Sequence, residues 1–517
     1  MKKGLMILLL IAMLSTMLSG CGGGQVTKAD ELIIAVPEEI QSTDMHQITW
    51  NNVVHDLLYE PIVVFDLELN QLHPAGCKAF EVSEDGKSIT FTFDTDAKFS
   101  NGDPLDAEAV KKSFERYIEI SPYGEDFDPI TEMIVVDAQT LKVNFEAPPA
   151  FIWPVFATSY GGIVNVDQAE EMGKEAFGLA AVGNGPYYVD EWVQGSHITL
   201  LKNPYYKSAN PFIENKANFD KVTIRFIPED FTRVSELEAG TVDIIVAVPV
   251  ENIATLEANT GIQLYDYLQT GIDYLVLNTQ HPDLREANVR HALSLAVNKD
   301  ELKQVLNGTI VEKYGIISPA QLCYDAEVEA ELKELYKFDL ETAKGLLAAA
   351  GWTQKNADGY LVKDGKVLGF TMMVTNDAPF LKKAAPVIQE QWKALGVKLD
   401  LNEYDSRYIR TQVTARNFEI AMRFNWWTDP DILYYVLKTG ALPWSSAKVD
   451  QLLEEARYEM NMETRTGLYG QVQTEVLKDM PIIPLFSERQ YMAAKSNIEG
   501  LKVAVDGKAY LGDVIKK

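Results

Sequence analysis

The sequence predicts an α/β protein built from several lobes. Strand and helix patterns follow one another without the strict βα alternation of a barrel, and no segment repeats another. The chain has 517 residues, of which 47% are hydrophobic and 24% are charged, close to the average for globular proteins. At ~150 residues per domain, this length predicts about two to four domains.

Apolar runs and strict alternation predict the strands. Ile89, Phe91 and Phe93 fall on one face of a half-buried strand, because successive side chains point to opposite faces. The same patterns predict strands at 31–37, 88–94, 140–145, 187–192, 197–202, 221–227, 274–279, 369–375, 397–404, 419–424, 481–486 and 491–495.

Apolar residues at helical spacing predict the helices. Val289, Leu293 and Ala296 lie on one face of one such segment. Asp106 precedes another as a candidate N-cap, since its carboxylate can accept a backbone N–H of the first turn. Helices are predicted at 50–59, 107–117, 286–297, 342–350, 382–395, 449–460 and 463–478.

The charge and the missing motifs exclude several classes of function. Lys and Arg number 47 against 75 Asp and Glu, a formal net charge of −28, which disfavours binding to nucleic acid or to an anionic membrane. The chain has no GxSxG, HExxH, Walker loop or GxGxxG, and its six His are scattered. We therefore expect a binding protein with no cofactor and no metal site of its own, rather than an enzyme.

The N-terminus has the layout of a secretory signal. Two Lys precede an apolar run at 5–18, which is short for a spanning helix. The run ends in Leu-Ser-Gly-Cys, which resembles the bacterial lipobox. We expect a signal peptide at 1–20, lipidation of Cys21, and a Gly-rich tether within 21–30. An ordinary cleavable signal with an incidental Cys is the alternative.

Two further cysteines, Cys77 and Cys323, are far apart in the sequence. We expect two independent, mostly buried thiols, with a disulfide as the alternative.

Several segments together resemble the family 5 extracytoplasmic solute-binding proteins of ABC importers, the peptide- and nickel-binding group. The most specific is FTFDTDAKFSNGDPLDAEAV at 91–110. The others are LYEPI at 58–62, GNGPY at 183–187, LLKNPYY at 200–206, LNT at 277–279, VRHALSLAVNK at 289–299, AAAGW at 348–352, DPD at 429–431 and IIPLF at 482–486. They occur in the family's order and cover essentially all of the chain after the tether.

The resemblance implies a two-lobed periplasmic-binding-protein type II-like fold, with an extra subdomain and a hinged ligand cleft. By analogy, lobe I comprises 31–60, 187–277 and 480–517, the extra subdomain 61–186, and lobe II 278–479. The two chain crossings between the lobes are expected near residues 277 and 480. Ligand would close the lobes through contacts to both at once.

The resemblance also places the ligand cleft at the end of the strand within 419–431. Trp426 aligns with a cleft Trp of the nickel-binding branch, and Trp427 beside it either covers ligand or packs in the core. Asp429 or Asp431 could hold a ligand ammonium, as an Asp of this loop does in peptide-binding relatives. A plain structural turn is the alternative for this Asp-Pro-Asp motif.

Other cleft candidates come from each lobe. Arg423 is a candidate cation, with a strand-edge salt bridge as its alternative, and Asn425 shares its face of the strand. Tyr160 lies near the position of a chelate-binding Arg in the nickel branch. Trp50 and Asn52 lie where lobe I would reach the cleft.

These comparisons favour oligopeptides over dipeptides or metals. Dipeptide-binding relatives hold the ligand carboxylate with an Arg after the strand at 370–375, where this chain reads Thr-Asn-Asp. The loop after Asp431 has no His to complete a metal shell. A longer peptide held mainly by its backbone needs neither group.

The resemblance therefore implies a lipid-anchored, extracytoplasmic, monomeric receptor that delivers oligopeptides to an ABC permease and its ATPase. A metal chelate or a small oligosaccharide is the alternative ligand. An exported enzyme and a sensory receptor are the alternative classes.

Overall fold

The computed structural model describes residues 31–69, 71–214 and 217–517. The predicted signal peptide, Cys21 and the tether lie outside these ranges. The described chain is a mixture of α-helices and β-strands arranged around one large sheet and several small ones. Within these ranges no helix combines the length and apolar character that crossing a bilayer requires.

The large sheet contains strands from nearly the whole described chain. The strand order across it is Lys398–Tyr404, Gly369–Thr375, Ile420–Trp426, Gly271–Leu277, Ile482–Lys495, Ile244–Ile245, Glu31–Val36, Lys221–Phe226, His197–Lys202 and Tyr187–Val193. Strands Ile262–Leu268 and Ile310–Glu312 also pair with Ile482–Lys495, which lies at the centre of the sheet.

The central strand, Ile482–Lys495, joins two halves of the sheet. Residues 482–486 pair with Gly271–Leu277, in the second sheet half, which contains the strands from 369 to 426. Residues 489–495 pair with Ile262–Leu268, in the first sheet half, which contains the strands before 268. The chain thus crosses between the halves twice, at 269–270 and at about 487–488, whereas the sequence placed the crossings near 277 and 480.

The sequence predicted two closing strands where the structure has one continuous strand of 14 residues. The error has a physical cause. The polar residues Ser487 and Glu488 looked like a break between apolar runs, but both are buried and paired. The Ser487 hydroxyl donates to the Gly271 carbonyl at 2.9 Å, and the Gln269 amide donates to the Glu488 carbonyl at 2.9 Å.

The remaining elements surround this sheet. A four-stranded sheet contains Ala79–Val82, Ser88–Thr92, Thr140–Phe145 and Ile130–Asp137. Short strands pair as Val63–Phe65 with Leu72–Pro74, Gln354–Lys355 with Leu361–Lys363 and Lys366–Val367, Ile498–Glu499 with Ile515–Lys516, and Lys502–Val503 with Ala509–Tyr510. Helices are Val53–Leu58, Ala107–Ile120, Trp153–Ala157, Val166–Met172, Lys174–Leu179, Asp230–Glu238, Ile253–Glu257, Ala287–Leu295, Lys299–Val305, Ala326–Tyr336, Leu340–Ala349, Pro379–Leu395, Ser406–Thr414, Ile432–Leu437, Ala447–Arg457 and Met462–Asp479.

A buried ion pair anchors the loop that follows strand Ile420–Trp426. Both carboxylate oxygens of Asp429 accept hydrogen bonds from the Arg465 guanidinium, at 2.6 and 2.7 Å. Arg465 belongs to helix Met462–Asp479, and both side chains are almost completely buried. The Asp431 amide donates to Asp429 at 2.8 Å, so the same carboxylate also shapes the turn.

Two carboxyl groups meet in the interior where the chain crosses between the sheet halves. Asp273 and Glu488 are both buried, and each carboxyl group influences the protonation of the other. Burial raises the pKa of Asp273 well above its ordinary value and raises the pKa of Glu488 to about 7. A proton retained by the pair in the folded protein would remove the repulsion of two adjacent negative charges.

Cys77 and Cys323 are both free and buried, which confirms the prediction of two independent thiols.

The carboxyl pair predicts a pH dependence of stability. The folded protein retains a proton that the unfolded chain, with carboxyl pKa values near 4, releases. The free energy of unfolding should therefore fall as the pH rises from about 5 to 8, by ~1 kcal/mol per pH unit for this pair. Asp273→Asn supplies an amide donor and should flatten this dependence, as measured by urea unfolding at several pH values. Asp358→Asn, which makes the same change of charge at an exposed position, is the control and should keep the wild-type dependence of unfolding free energy on pH. The same dependence in all three proteins would contradict the retained proton.

The Asp429–Arg465 pair predicts a large loss of stability on substitution. Asp429→Asn should lower the free energy of unfolding by ~3 kcal/mol, because it leaves a buried guanidinium without its countercharge. Urea unfolding at pH 7 measures the loss. Glu334→Gln removes one partner of an exposed pair with Lys337 and should cost less than ~1 kcal/mol. Similar losses in the two variants would show that the buried pair contributes no more than a surface one.

Candidate binding cleft

A cavity of about 750 Å³ is lined by residues from both halves of the large sheet and from the segments around them. Its wall combines the end of strand Glu31–Val36 with residues from five other segments, at 49–56, 117–126, 151–160, 267–270 and 426–435. Residues 506–509, Val246 and Met492 also line it. Its volume is typical of sites that enclose a small ligand, about 300–1,000 Å³. Because both sheet halves contribute, a ligand here contacts both at once.

Six of the nine residues predicted to line the cleft do line this cavity: Trp50, Asn52, Tyr160, Trp426, Trp427 and Asp431. They come from three separate stretches of the chain, and four of them are aromatic. Aromatic rings offer a large contact area that tolerates ligands of different shapes.

Strand Ile420–Trp426 places the two tryptophans. Trp426 is the last residue of the strand and is 38% exposed, with its ring stacked on Phe424 at a centroid distance of 4.3 Å. The Trp427 amide donates to the Thr270 carbonyl at 2.7 Å, which ties the loop to the crossover. Gly271 permits this arrangement, because a Cβ there would overlap the carbonyl oxygen of Asn425.

Trp427 both lines the cavity and packs against the core, so the two alternatives considered for it are compatible. Its ring centroid lies 6.0 Å from that of Tyr160. Tyr160 in turn meets Tyr123 edge-to-face at 5.7 Å. These rings connect the second sheet half to the segments at 117–126 and 151–160 along the cavity wall.

Arg423, Asn425 and Asp429 do not line the cavity, which differs from our expectation. Arg423 and Asn425 alternate with Phe424 and Trp426, so their side chains lie on the opposite face of the strand from the one that meets the cavity. Asp429 is 0% exposed and its carboxylate is occupied by Arg465. For Asp429 this arrangement matches the alternative of a structural turn.

The segment before helix Val53–Leu58 supplies Trp50 and Asn52. The Asn52 side chain caps the helix by accepting from the Val54 amide at 2.9 Å. Asn51 donates to the Ser159 hydroxyl at 2.7 Å and so holds this segment against the one that contains Tyr160. The side-chain oxygen of Asn52 is thus occupied by the Val54 amide, and its role in the cavity wall is to fix the start of the helix.

Sequence reasoning missed most of the charged groups in the cavity. Among the residues that the structure describes, six carboxylates and one cation, Lys508, line the cavity, and of these charged groups only Asp431 had been considered. The six are Glu38, Asp56, Glu125, Asp126, Asp431 and Asp506. No local pattern distinguishes them among the 75 acidic residues of the chain, because their proximity comes from the fold.

Burial changes the protonation of these carboxylates. It raises the pKa of Asp126 and that of Asp431 to about 7, with Glu125 adding to the effect at Asp126 and Arg457 opposing it at both. Burial also raises the pKa of Asp56 and of Asp506, and Lys508 offsets part of each increase. Near neutral pH, the carboxyl groups of Asp126 and Asp431 are therefore each partly protonated.

Among the described residues, no group of three or more His, Cys, Asp or Glu side chains has an arrangement that could hold a metal ion.

Comparison with known proteins identifies the family. The model of the bacterial extracellular solute-binding proteins, family 5 (middle region), matches residues 71–443. A relative named as a probable D,D-dipeptide-binding periplasmic protein, DdpA of Escherichia coli (strain K12), is 27% identical over 439 residues. That alignment covers 82% of this chain and 80% of the relative.

Solved structures share the fold across most of the chain. NikA from Brucella suis in complex with Fe(III)-EDTA has a TM-score of 0.82 at 22% identity, covering 94% of this chain and all of NikA. The oligopeptide-binding protein AppA from Bacillus subtilis, in complex with a nonapeptide, has a TM-score of 0.75 at 20% identity, covering 94% of this chain and 99% of AppA.

These similarities confirm the predicted fold class, the two-lobed α/β fold of type II periplasmic binding proteins. They also confirm the family inferred from the sequence segments, because its model matches more than half of the residues. The chain belongs to family 5 of the bacterial extracellular solute-binding proteins, which bind solutes outside the cytoplasm for transport and are not enzymes.

Proposed function

We propose that this protein is the lipid-anchored receptor of an ABC importer, which captures oligopeptides between its lobes and delivers them to the membrane permease. The observation that carries the proposal is the cavity of about 750 Å³ whose wall comes from both sheet halves and from the crossover between them. A ligand that contacts both lobes stabilises the closed arrangement over the open one. The permease would recognise that closed arrangement.

The chemistry of the wall supports a peptide ligand. Trp426, Trp427 and Tyr160 provide apolar contact without a narrow pocket for one side chain. Lys508 can pair with a peptide carboxylate, and Asp431 with an ammonium group. The names of two relatives, the D,D-dipeptide-binding protein and AppA with its nonapeptide, also refer to peptides.

A metal chelate is the second candidate, because the similar structure of NikA contains Fe(III)-EDTA. The charges of this cavity oppose it. Such a chelator presents carboxylates, whereas the described residues that line the cavity include one Lys, no Arg and no His. A sugar stacked on the ring of Trp426 is the third candidate ligand.

The anchor and the partners belong to the proposal as well. Cys21 would carry the lipid and residues 22–30 would form the tether, so that a monomeric receptor stays beside its permease and ATPase. Mass spectrometry of the N-terminal peptide from membrane-extracted protein tests the anchor.

Native mass spectrometry of protein purified from its own host tests the ligand class directly. Peptides of mixed composition released from the protein would support the proposal. A single discrete mass, or a metal isotope pattern, would contradict it and favour a sugar or a chelate.

Replacing Trp426 should weaken ligand binding. Trp426→Ala removes a partly exposed ring from the cavity wall and should raise Kd by about tenfold or more, measured by calorimetry with the released ligand. Phe231→Ala is the matched control, since Phe231 is an exposed aromatic residue outside the cavity, and should leave Kd unchanged. An equal Kd for Trp426→Ala and wild type would remove Trp426 from the site.

A further inference from the structure

A contact between two separate parts of the molecule closes one side of the cavity. Phe151 lies in the short helical turn Ala150–Ile152, which follows the four-stranded sheet. Arg457 and Tyr458 lie at the C-terminal end of helix Ala447–Arg457, far later in the chain. The Cζ atom of Arg457 lies 4.2 Å from the centroid of the Phe151 ring, and the Tyr458 ring meets Phe151 edge-to-face at 6.0 Å. We call these three residues the clasp.

The clasp marks a boundary of the cavity. Phe151 lines the cavity, whereas Arg457 and Tyr458 do not, so they lie behind the Phe151 ring as seen from the cavity. Because they cover it, Phe151 is only 4% exposed although it forms part of the wall. A ligand chain that continued past Phe151 in this direction would have to separate the ring from both partners.

Arg457 is oriented by residues on its own side of the contact. Its Nε lies 3.2 Å from Asp431 Oδ1, and its Nη2 donates to the Tyr435 hydroxyl at 3.3 Å. Its Cζ lies 4.1 Å from the centroid of the Tyr434 ring. Phe151, from the other part of the molecule, therefore covers a guanidinium that is already held in place. A planar cation fixed in this way stacks on an aromatic ring with little further loss of freedom.

The cavity has room for a short peptide. In packed β-structure an extended residue occupies ~160 Å³, because its rise is about 3.4 Å, the strand spacing about 4.8 Å and the sheet spacing about 10 Å. A volume of about 750 Å³ therefore accommodates about four to five extended residues. A peptide of nine residues would need about twice the volume of the cavity.

We propose that the clasp forms when the lobes close and ends the cleft at Phe151, so that the receptor encloses peptides of up to about five residues and rejects longer ones. This inference rests on the proposed function and specifies its substrate class by length. A longer chain would hold Phe151 away from Arg457 and Tyr458, and the closed arrangement would lose a buried aromatic and cation–π contact. Closure then stabilises short ligands more than long ones.

A second contact between the sheet halves provides a matched control. Glu251 follows strand Ile244–Ile245 of the first sheet half, and Lys383 belongs to helix Pro379–Leu395 beside strands of the second. Their side chains form an ion pair, in which each is about half exposed, and neither residue lines the cavity. Because an exposed ion pair contributes little, Glu251→Gln should leave the length limit unchanged.

Random-sequence peptides of defined length test the inference. The protein, freed of ligand by dialysis, is mixed with equimolar libraries of peptides of three, five, seven and nine residues, and native mass spectrometry identifies the lengths that are bound. Peptides of three and five residues should be bound at least about tenfold more than those of seven and nine. Comparable binding of five- and nine-residue peptides would overturn the inference and leave the peptide function intact. Absence of binding at every length would overturn the proposed function and the inference with it.

Variants of the clasp locate the limit. Phe151→Ala removes the ring that ends the cavity and should raise the binding of seven-residue peptides severalfold relative to five-residue ones. Tyr458→Ala, a milder change at a half-buried position outside the cavity, should shift this ratio in the same direction. Thermal unfolding monitors folding, and Tyr458→Ala carries the test where Phe151→Ala does not fold. An unchanged ratio in the folded variants, or an equal shift in Glu251→Gln, would overturn the role of the clasp.

Discussion

Backbone hydrogen bonding along residues 482–495 is the constraint on which the arrangement of the molecule depends. One strand at the centre of a sheet must satisfy partners on both sides, and here the partners change from one half of the sheet to the other within a few residues. The adjacent crossover at 269–270 runs in the opposite direction. Together they join the two lobes through neighbouring, hydrogen-bonded segments of one sheet.

Local sequence pattern was enough to give the bounds of several strands. The strands at 140–145, 197–202 and 369–375 have the predicted bounds. It failed at Ser487 and Glu488, which are polar yet buried because Gly271 and Asp273, over 200 residues earlier, lie beside them. In the site, too, contacts between residues distant in sequence could not be predicted from local pattern. Trp426 and Tyr160 were found through a family resemblance, and the Asp-Pro-Asp turn was visible, but Arg465, which occupies Asp429, was not foreseeable from a position 36 residues away.

The cavity combines a wall of aromatic rings with carboxylates, several of which are partly or fully buried. Each feature alone is ordinary. In general, aromatic rings tolerate ligands of many shapes, whereas buried carboxylates discriminate between ligands by charge.

The central position of the strand at 482–495 also bears on how the chain acquires its fold. All the strands that pair with it precede it in the sequence, so neither half of the sheet can complete its hydrogen bonds until this segment has emerged. Such distant pairing is slow to form, because the closure of long loops precedes any reward from contacts. A nascent chain would therefore stay incompletely folded until late in its synthesis, and an incompletely folded chain can pass through a translocation pore.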